Sequence, residues 1–510
     1  MSKPLVLIIL DGWGLAPSGK GNAISQAKTP NFDKYWREYP HTSLEASGKY
    51  VGLPDNQIGN SEAGHMNLGA GKVITQDSCY VSCSILDGTF FRNPAFIAAL
   101  KHIEALKSRL HIMSLITGDQ SAHADPFHLK KILKFIKDNK VKGAVLHLFT
   151  DGRDAPSHNG LWFLKDLENF VRKEKIEVDI GTISGRYFAM DRVKKWERTE
   201  KIYNALVYGK GEKSSSARKA IKENYKKKIG DEFIEPTVIY KNGKMVPRIK
   251  SGDSIVFVNL RSDRARQLTK TFAQREFIGF KIKERLSDIL FVAMTEFGPD
   301  LDTITAYPAR TIKNTLPRIL GKKGIKQLYI TESEKYAHVT YFFNGGFADP
   351  VAHEERIKID SPIVKSYAEK PEMSAFELTD TLVKYIKEGI YDFIVVNYAN
   401  PDMVGHTGDL KAGIKACEVV DECLGKLVSS ILKKKGEAVI TADHGNIEEM
   451  IYPDTGDTST THSRNPVPFI LVDSFQSVKL KKGVLANVAP TILDILHIEK
   501  PKGTEESLMV

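Results

Sequence analysis

Short apolar runs rich in β-branched residues recur along the whole chain. They fall at Leu5–Leu10, His111–Ile116, Ala144–Phe149, Val178–Ile183, Ser254–Asn259, Ile289–Met294, Gln327–Ile330, Phe393–Val396, Ala438–Thr441 and Pro468–Val472. Runs without polar alternation belong to strands covered on both faces, and the helical periodicity between them supplies the covering layer. The pattern predicts an α/β protein built on mainly parallel sheets. Thr29 before Pro30 marks one helix start, and Ser374 with Glu377 forms a predicted capping box at another. At roughly 150 residues per domain, 510 residues suggest about two to four domains. No internal repeat or low-complexity segment divides them, so boundaries must come from where chemically reactive residues cluster.

Two such clusters emerge, and both sit just past predicted strands, where open α/β sheets place their ligands. One draws on both ends of the chain: Asp11, Ser61, Asp402, His406, Asp443, His444 and His462. The other draws only on the middle: His123, Arg153, Asp154, Arg186, Arg192, Arg261 and Arg264. If the first set is one site, the N-terminal ~75 residues fold with the last ~200 and the middle is an inserted domain. The expected boundaries are 1–76 with 310–510 for the outer domain and 77–309 for the insert.

Carboxylates and imidazoles without thiolates suit Mn²⁺, Mg²⁺ or Zn²⁺, and the six Asp and His residues are enough for two ions. Asp402 and His406 lie four apart, but Pro401 and Gly405 favour a loop there over a helix. Ser61 lies in the small-residue turn Gly59-Asn60-Ser61-Glu62-Ala63-Gly64-His65, which opens a helix. There it serves as an N-cap or as a nucleophile toward an anion drawn to the helix start. The arginines offer planar forks for carboxylate or phosphate, so the second cluster implies a small substrate bearing such groups. His123 and Asp154 are its proton carriers, or else a loop cap and an ion-pair partner.

A formal net charge of +10 leaves nucleic acid, an anionic membrane surface or a small anionic substrate as partners. The densest basic run, Lys210 to Lys228, is spaced as a solvated helix face around Ala217, Ile221 and Tyr225 and lacks interleaved aromatics. Nucleic acid is therefore not expected. Leu5–Leu10 is stopped by Asp11, too short for a signal-peptide core, and no run approaches the ~18–20 apolar residues of a membrane span. The expectation is a cytoplasmic protein without membrane contact. Cys79, Cys83, Cys417 and Cys423 have no C-x-x-C spacing and are expected to be reduced core residues.

Several longer motifs resemble one family. They are ILDGWG from Ile9, GNSEAGHMNLGAG from Gly59, DGRD from Asp151, SGRYFAMDR from Ser184 and NLRSDRARQ from Asn259. SEKYAHVTYFFNGG from Ser333, NYANPDMVGHTG from Asn397 and TADHGN from Thr441 complete the set. Their order and content resemble the cofactor-independent (2,3-bisphosphoglycerate-independent) phosphoglycerate mutases. Ala63, Val193 and Ser463-Arg464 stand where that family more often has valine, an acidic residue and threonines.

The resemblance implies an alkaline-phosphatase-like domain holding two divalent ions, Mn²⁺ first and Mg²⁺ second, with a phosphotransferase domain inserted into it. It implies that Ser61 is phosphorylated, with Asp11, Ser61, Asp443 and His444 around one ion and Asp402, His406 and His462 around the other. His123, Arg153, Asp154, Arg186, Arg192, Arg261 and Arg264 would bind the phosphoglycerate. Asp154 would be the general acid/base, and Lys335 would help to bridge the domains at the phosphate. The implied reaction interconverts 3-phosphoglycerate and 2-phosphoglycerate in glycolysis through the phosphoserine, without bisphosphoglycerate, in a monomer.

Overall fold

The computed structural model describes residues 3–119, 121–310, 312–452, 455–472 and 478–510. The chain divides into two compact units, Met1–Gln76 with Thr311–Val510, and Asp77–Arg310. Residue 310 was expected with the outer unit but falls in the inserted one. There the Arg310 guanidinium lies 4.3 Å from the Tyr80 ring centroid and 4.0 Å from an Asp77 carboxylate oxygen.

In the first unit an eight-stranded sheet runs, in spatial order, Glu354–Ile359, Gln327–Glu332, Phe393–Tyr398, Leu5–Leu10, Glu437–Thr441, Val467–Val472, His41–Glu45 and Gly483–Val484. The pairs from Glu354–Ile359 through Glu437–Thr441 are parallel. Val467–Val472 is antiparallel to both of its neighbours. Every residue of Leu5–Leu10 is buried, which is why its sequence has no polar alternation. A fully buried Ile, Leu or Val contributes about 1.5–3 kcal/mol, so this central strand anchors the unit's core.

The second unit's sheet runs Ile304–Tyr307, Leu290–Thr295, Ser254–Val258, Leu110–Ile116, Ala144–Thr150, Val178–Gly185, Thr237–Lys241 and Glu212–Ser214. Two separate apolar clusters pack it. All of the predicted strands are present within two residues at each end. The strands that escaped prediction lie toward sheet edges or pair antiparallel. Glu354–Ile359 is one, a half-exposed edge strand with three charged residues at its start whose face toward water needs no apolar run.

Three local expectations are corrected. Asn400–Gly405 is a short helix with Pro401 in its first turn, where the missing N–H is no loss, so Asp402 and His406 share one helical face. Ser374 does not form the capping box: its hydroxyl donates to Asp360 O at 2.8 Å, and Glu332 Oε1 accepts the Ser374 N–H at 3.0 Å. Cys83 is exposed and Cys79 half-buried, because the helix Asp77–Leu86 packs through Val81, Ser84 and Ile85 instead. The basic run does form the expected helix, Ala217–Lys226, which buries Ala217 and Ile221 and whose Arg218 pairs with Glu168, and only 212–214 before it is a strand.

Glu332 closes the strand Gln327–Glu332, fully buried, and burial pushes its carboxyl up to about 7 from an ordinary 4.5. The folded state thus holds this proton more tightly than the unfolded chain. Its contribution to stability is full below pH 4.5 and is lost as the pH rises through 7. Glu332→Gln, neutral throughout, should flatten that dependence and stabilise the protein at pH 8 by on the order of 2 kcal/mol. Urea denaturation of both proteins at pH 5 and pH 8 checks this, and parallel pH dependences would refute it.

Candidate active site

In the first unit the carboxyl ends of adjacent parallel strands carry the reactive groups. Asp11 follows Leu5–Leu10, Asp402 and His406 follow Phe393–Tyr398, Asp443 and His444 follow Glu437–Thr441, and Lys335 follows Gln327–Glu332. The register Ile9↔Thr441 sets Asp11 level with Asp443. Gly12, at φ +75°, lets the chain turn directly after Asp11: a Cβ there would lie 2.8 Å from the Asp402 Cα. Ser61 is the first residue of the helix Ser61–Ala70. The cap is Asn60, whose side chain accepts the Ala63 N–H at 2.8 Å, so the Ser61 hydroxyl is free of that duty.

The Ser61 Oγ lies 2.9 Å from His444 Nε2 and accepts from Lys335 Nζ at 2.8 Å. The same ammonium donates to Asp11 Oδ1 and to Asp402 Oδ2, both at 2.6 Å. Burial opposes its charge, but Asp11 and Asp402 override it and hold Lys335 above its ordinary range. Three buried carboxylates share this one ammonium. Burial and then Asp443 push Asp11 up to about 7. Burial also opposes ionisation of Asp402 and Asp443, yet Lys335 with His406 and His462 hold the first below its ordinary value, and His444 with His65 hold the second below it.

Two groups of donors fit cations. Asp402, His406 and His462 form one, and Asp11, Asp443 and His444 the other, with the ligand atoms of each group within 4.8 Å of one another. His406 Nδ1 meets Thr460 O at 2.8 Å and His462 Nδ1 meets Gly59 O at 2.7 Å. Each carbonyl requires an N–H, which leaves the lone pair on Nε2. The two Nε2 atoms then face each other at 3.0 Å, with Asp402 Oδ1 at 3.3 and 3.2 Å. Lone pairs so opposed are repulsive unless a proton or a cation lies among them, and the carboxylate oxygen beside both makes the set a cation's donor group. In the second group the buried Asp443 Oδ2 makes no well-aligned hydrogen bond among the described residues; its polar neighbours are His65 Nδ1 at 3.2 Å and His444 Nε2 at 3.4 Å. A buried carboxylate oxygen that lacks a well-aligned hydrogen bond is a donor that a metal ion satisfies.

The structure adds residues that the sequence reading left unassigned. Asn397 Nδ2 donates to Asp11 Oδ2 at 2.7 Å, and Asn446 Nδ2 donates to Asp402 Oδ1 at 2.7 Å. His65, one helical turn after Ser61, lies 2.9 Å from Ser61 O through Nδ1 and faces Asp443 at 3.2 Å. All three sit inside the quoted motifs, but their partners, Ser61 apart, lie tens to hundreds of residues away in sequence.

The second unit gathers the arginine set at the ends of its own strands. Arg186, almost fully buried, pairs with Asp151 at 2.6 Å and Asp154 at 2.9 Å, and Ser121 Oγ donates to Asp154 at 2.7 Å. Burial would raise Asp154, but Arg186 and Ser121 outweigh it and hold the carboxyl below its ordinary range. Burial, then Arg186, pushes His123 down to about 3, so its imidazole is neutral. Arg192 and Arg261 lean on Asp263 at 2.7 and 3.6 Å, and the half-exposed Arg153 reaches Glu232 at 3.8 Å. Burial, then Arg186, Arg153 and Arg192, lowers Arg264 to about 10. Beyond burial, that depression reflects crowded positive charge, which a bound anion would relieve.

The model of the metalloenzyme superfamily matches residues 3–500. A 2,3-bisphosphoglycerate-independent phosphoglycerate mutase of Clostridium acetobutylicum is 48% identical, with 98% of each chain covered. One of Moorella thermoacetica is 46% identical over 100% of this chain and 99% of its own. A crystal structure of Leishmania mexicana phosphoglycerate mutase, determined at low cobalt concentration, superposes with a TM-score of 0.83 at 29% identity, covering 100% of this chain and 98% of that one. With likeness of this degree over its whole length, and with the donor groups in place, the chain belongs to the 2,3-bisphosphoglycerate-independent phosphoglycerate mutases of the metalloenzyme superfamily.

Proposed function

We propose that Ser61 carries the phosphoryl group between the two hydroxyls of glycerate as the enzyme interconverts 3-phosphoglycerate and 2-phosphoglycerate. The observation that carries this is the Ser61 hydroxyl held between Lys335 Nζ and His444 Nε2, beside both donor groups. His444 Nδ1 faces Gly445 O at 3.3 Å, so the Nε2 lone pair is left for the hydroxyl proton or, with an ion bound, for the ion. Lys335 steadies the oxygen as it gains negative charge, and the start of the helix Ser61–Ala70 turns N–H groups toward an incoming anion.

Asp402, His406 and His462 would hold one divalent ion, and Asp11, Asp443 and His444 with Ser61 the other; the imidazoles favour Mn²⁺ over Mg²⁺, which prefers an all-oxygen shell. Bound there, such ions supply the Lewis-acid charge that lowers the serine pKa and offsets the phosphoryl oxygens. In the second unit Arg153, Arg186, Arg192, Arg261 and Arg264 bind phosphate and carboxylate. Neutral His123 and ionised Asp154 orient the glycerate hydroxyls, with Asp154 as the base that takes a hydroxyl proton.

On this reading Met1–Gln76 with Thr311–Val510 is the metal-binding, phosphatase-like part, and Asp77–Arg310 binds the substrate. The enzyme acts as a cytoplasmic monomer on a small molecule, in glycolysis, without 2,3-bisphosphoglycerate, nucleic acid or membrane. Among the described residues no helix is long and apolar enough to cross a membrane.

The test is phosphorus NMR of the purified chain with Mn²⁺ and 3-phosphoglycerate, with no bisphosphoglycerate added, before and after chelation. The expected result is 2-phosphoglycerate, reduced by the chelator to background and restored by Mn²⁺. Release of inorganic phosphate instead would mean transfer to water, and the proposal would give way to a phosphatase.

A further inference from the structure

Glu448 lies outside both donor groups, 2% exposed, and its carboxylate meets four donors from three segments. Oε2 accepts Gly14 N at 3.0 Å and Asn446 N at 2.9 Å. Oε1 accepts the Ser463 hydroxyl, and Asn465 Nδ2 at 3.0 Å. Gly14 follows Asp11 by three residues, Asn446 follows His444 by two, and Ser463 adjoins His462. Asn446 then extends the tie to a fourth segment through its bond to Asp402 Oδ1 at 2.7 Å.

We propose that Glu448 is a positioning residue for the cation groups: one carboxylate fixes the loops that carry Asp11, His444, His462 and, through Asn446, Asp402. Backbone bonds close the same seam, Ile447 N to Gly12 O at 3.1 Å, Leu15 N to Pro466 O at 2.7 Å and Ser463 N to Gly445 O at 2.9 Å. A carboxylate suits the centre because it only accepts, so all four donors can face it. The surrounding sequence leaves it room. A Cβ at residue 14 or 445 would fall 2.2 or 2.4 Å from Glu448 Oε1, so the glycines of the DGWG and DHGN segments clear the carboxylate's place. Ser463 supplies the hydroxyl that this centre uses.

The inference rests on the two-cation reading and adds that the ligands are held in register by a residue that touches no ion. Its test is Mn²⁺ titration by calorimetry, with the visible spectrum of the Co²⁺-loaded protein, on full-length parent, Glu448→Gln and Ser463→Ala. In Glu448→Gln one acceptor becomes an amide N–H₂ that meets donors. Mn²⁺ affinity should fall about 10- to 100-fold, as for other groups that orient ligands from behind. The Co²⁺ bands should shift, while KM for 3-phosphoglycerate at saturating Mn²⁺ stays at the parent value. Ser463→Ala, which removes one donor, should weaken Mn²⁺ binding by a smaller factor and is the deciding variant if Glu448→Gln does not fold. Parental Mn²⁺ affinity and Co²⁺ spectrum in a folded Glu448→Gln, or in Ser463→Ala where that is the deciding variant, would overturn the proposal. A parent that binds no Mn²⁺ would overturn the two-cation reading and this inference with it.

Discussion

Ser61→Ala should lower mutase activity by at least about 10⁴-fold while leaving the protein folded, the scale seen when a covalent nucleophile is deleted. The structure separates the serine's chemical role from a helical one. Asn60 supplies the cap, and alanine is at least as good as serine at the first position of the helix Ser61–Ala70. The lost hydroxyl gives up its contacts with Lys335 and His444, at about 1 kcal/mol, and Lys335 keeps Asp11 and Asp402 as partners. Phosphorus NMR would follow turnover. A denatured-protein assay for acid-stable phosphoserine would separate loss of the nucleophile from loss of metal, since parent exposed to substrate should carry the label and the variant should not. Residual turnover within tenfold of the parent would show that the phosphoryl group travels another way.

Lys335→Met should have the second-largest effect, and on stability as well as rate. The side chain is 3% exposed, and its ammonium is the group that bonds both Asp11 and Asp402. Removing one partner of a buried charge set leaves the others uncompensated, which costs about 3–5 kcal/mol. That penalty should appear in full in denaturation with chelator and shrink with saturating Mn²⁺, because bound cations supply the missing charge. Turnover should still fall about 10²–10³-fold at saturating metal, the loss expected when a donor aimed at developing oxygen charge is removed. Equal stability of the two proteins in chelator would refute the electrostatic account. Full activity at saturating metal would refute the catalytic one.

Much of the site was legible because buried parallel strands write themselves plainly. Leu5–Leu10 reads as a covered strand, so the next residue, Asp11, reads as a strand-end group, and the same logic finds Asp443, His444 and Arg186. Asp402 and His406 read from the sequence as a pair in a loop, since proline and glycine signal a break unless the helix start is known. The edge strand Glu354–Ile359 was missed because its exposed positions carry charge where a buried strand would carry valine or isoleucine.

The amino-acid order alone determined the layered α/β class, the strand-end position of the reactive groups, the insertion of the middle of the chain and, through its long motifs, the family resemblance. These depend on local periodicity, and on residue types at fixed spacing along one chain. Only the tertiary structure decided that Lys335 Nζ reaches Asp11, Ser61 and Asp402 together, that Asn60 and not Ser61 caps the helix, and that Glu448 ties its own loop to those of Gly14 and Ser463. Several of these hydrogen bonds and charge pairs, those of Lys335 with Asp11 and Ser61 and of Glu448 with Gly14, join residues hundreds of positions apart. Their partners are chosen by strand register and loop packing, neither of which leaves a period in the sequence.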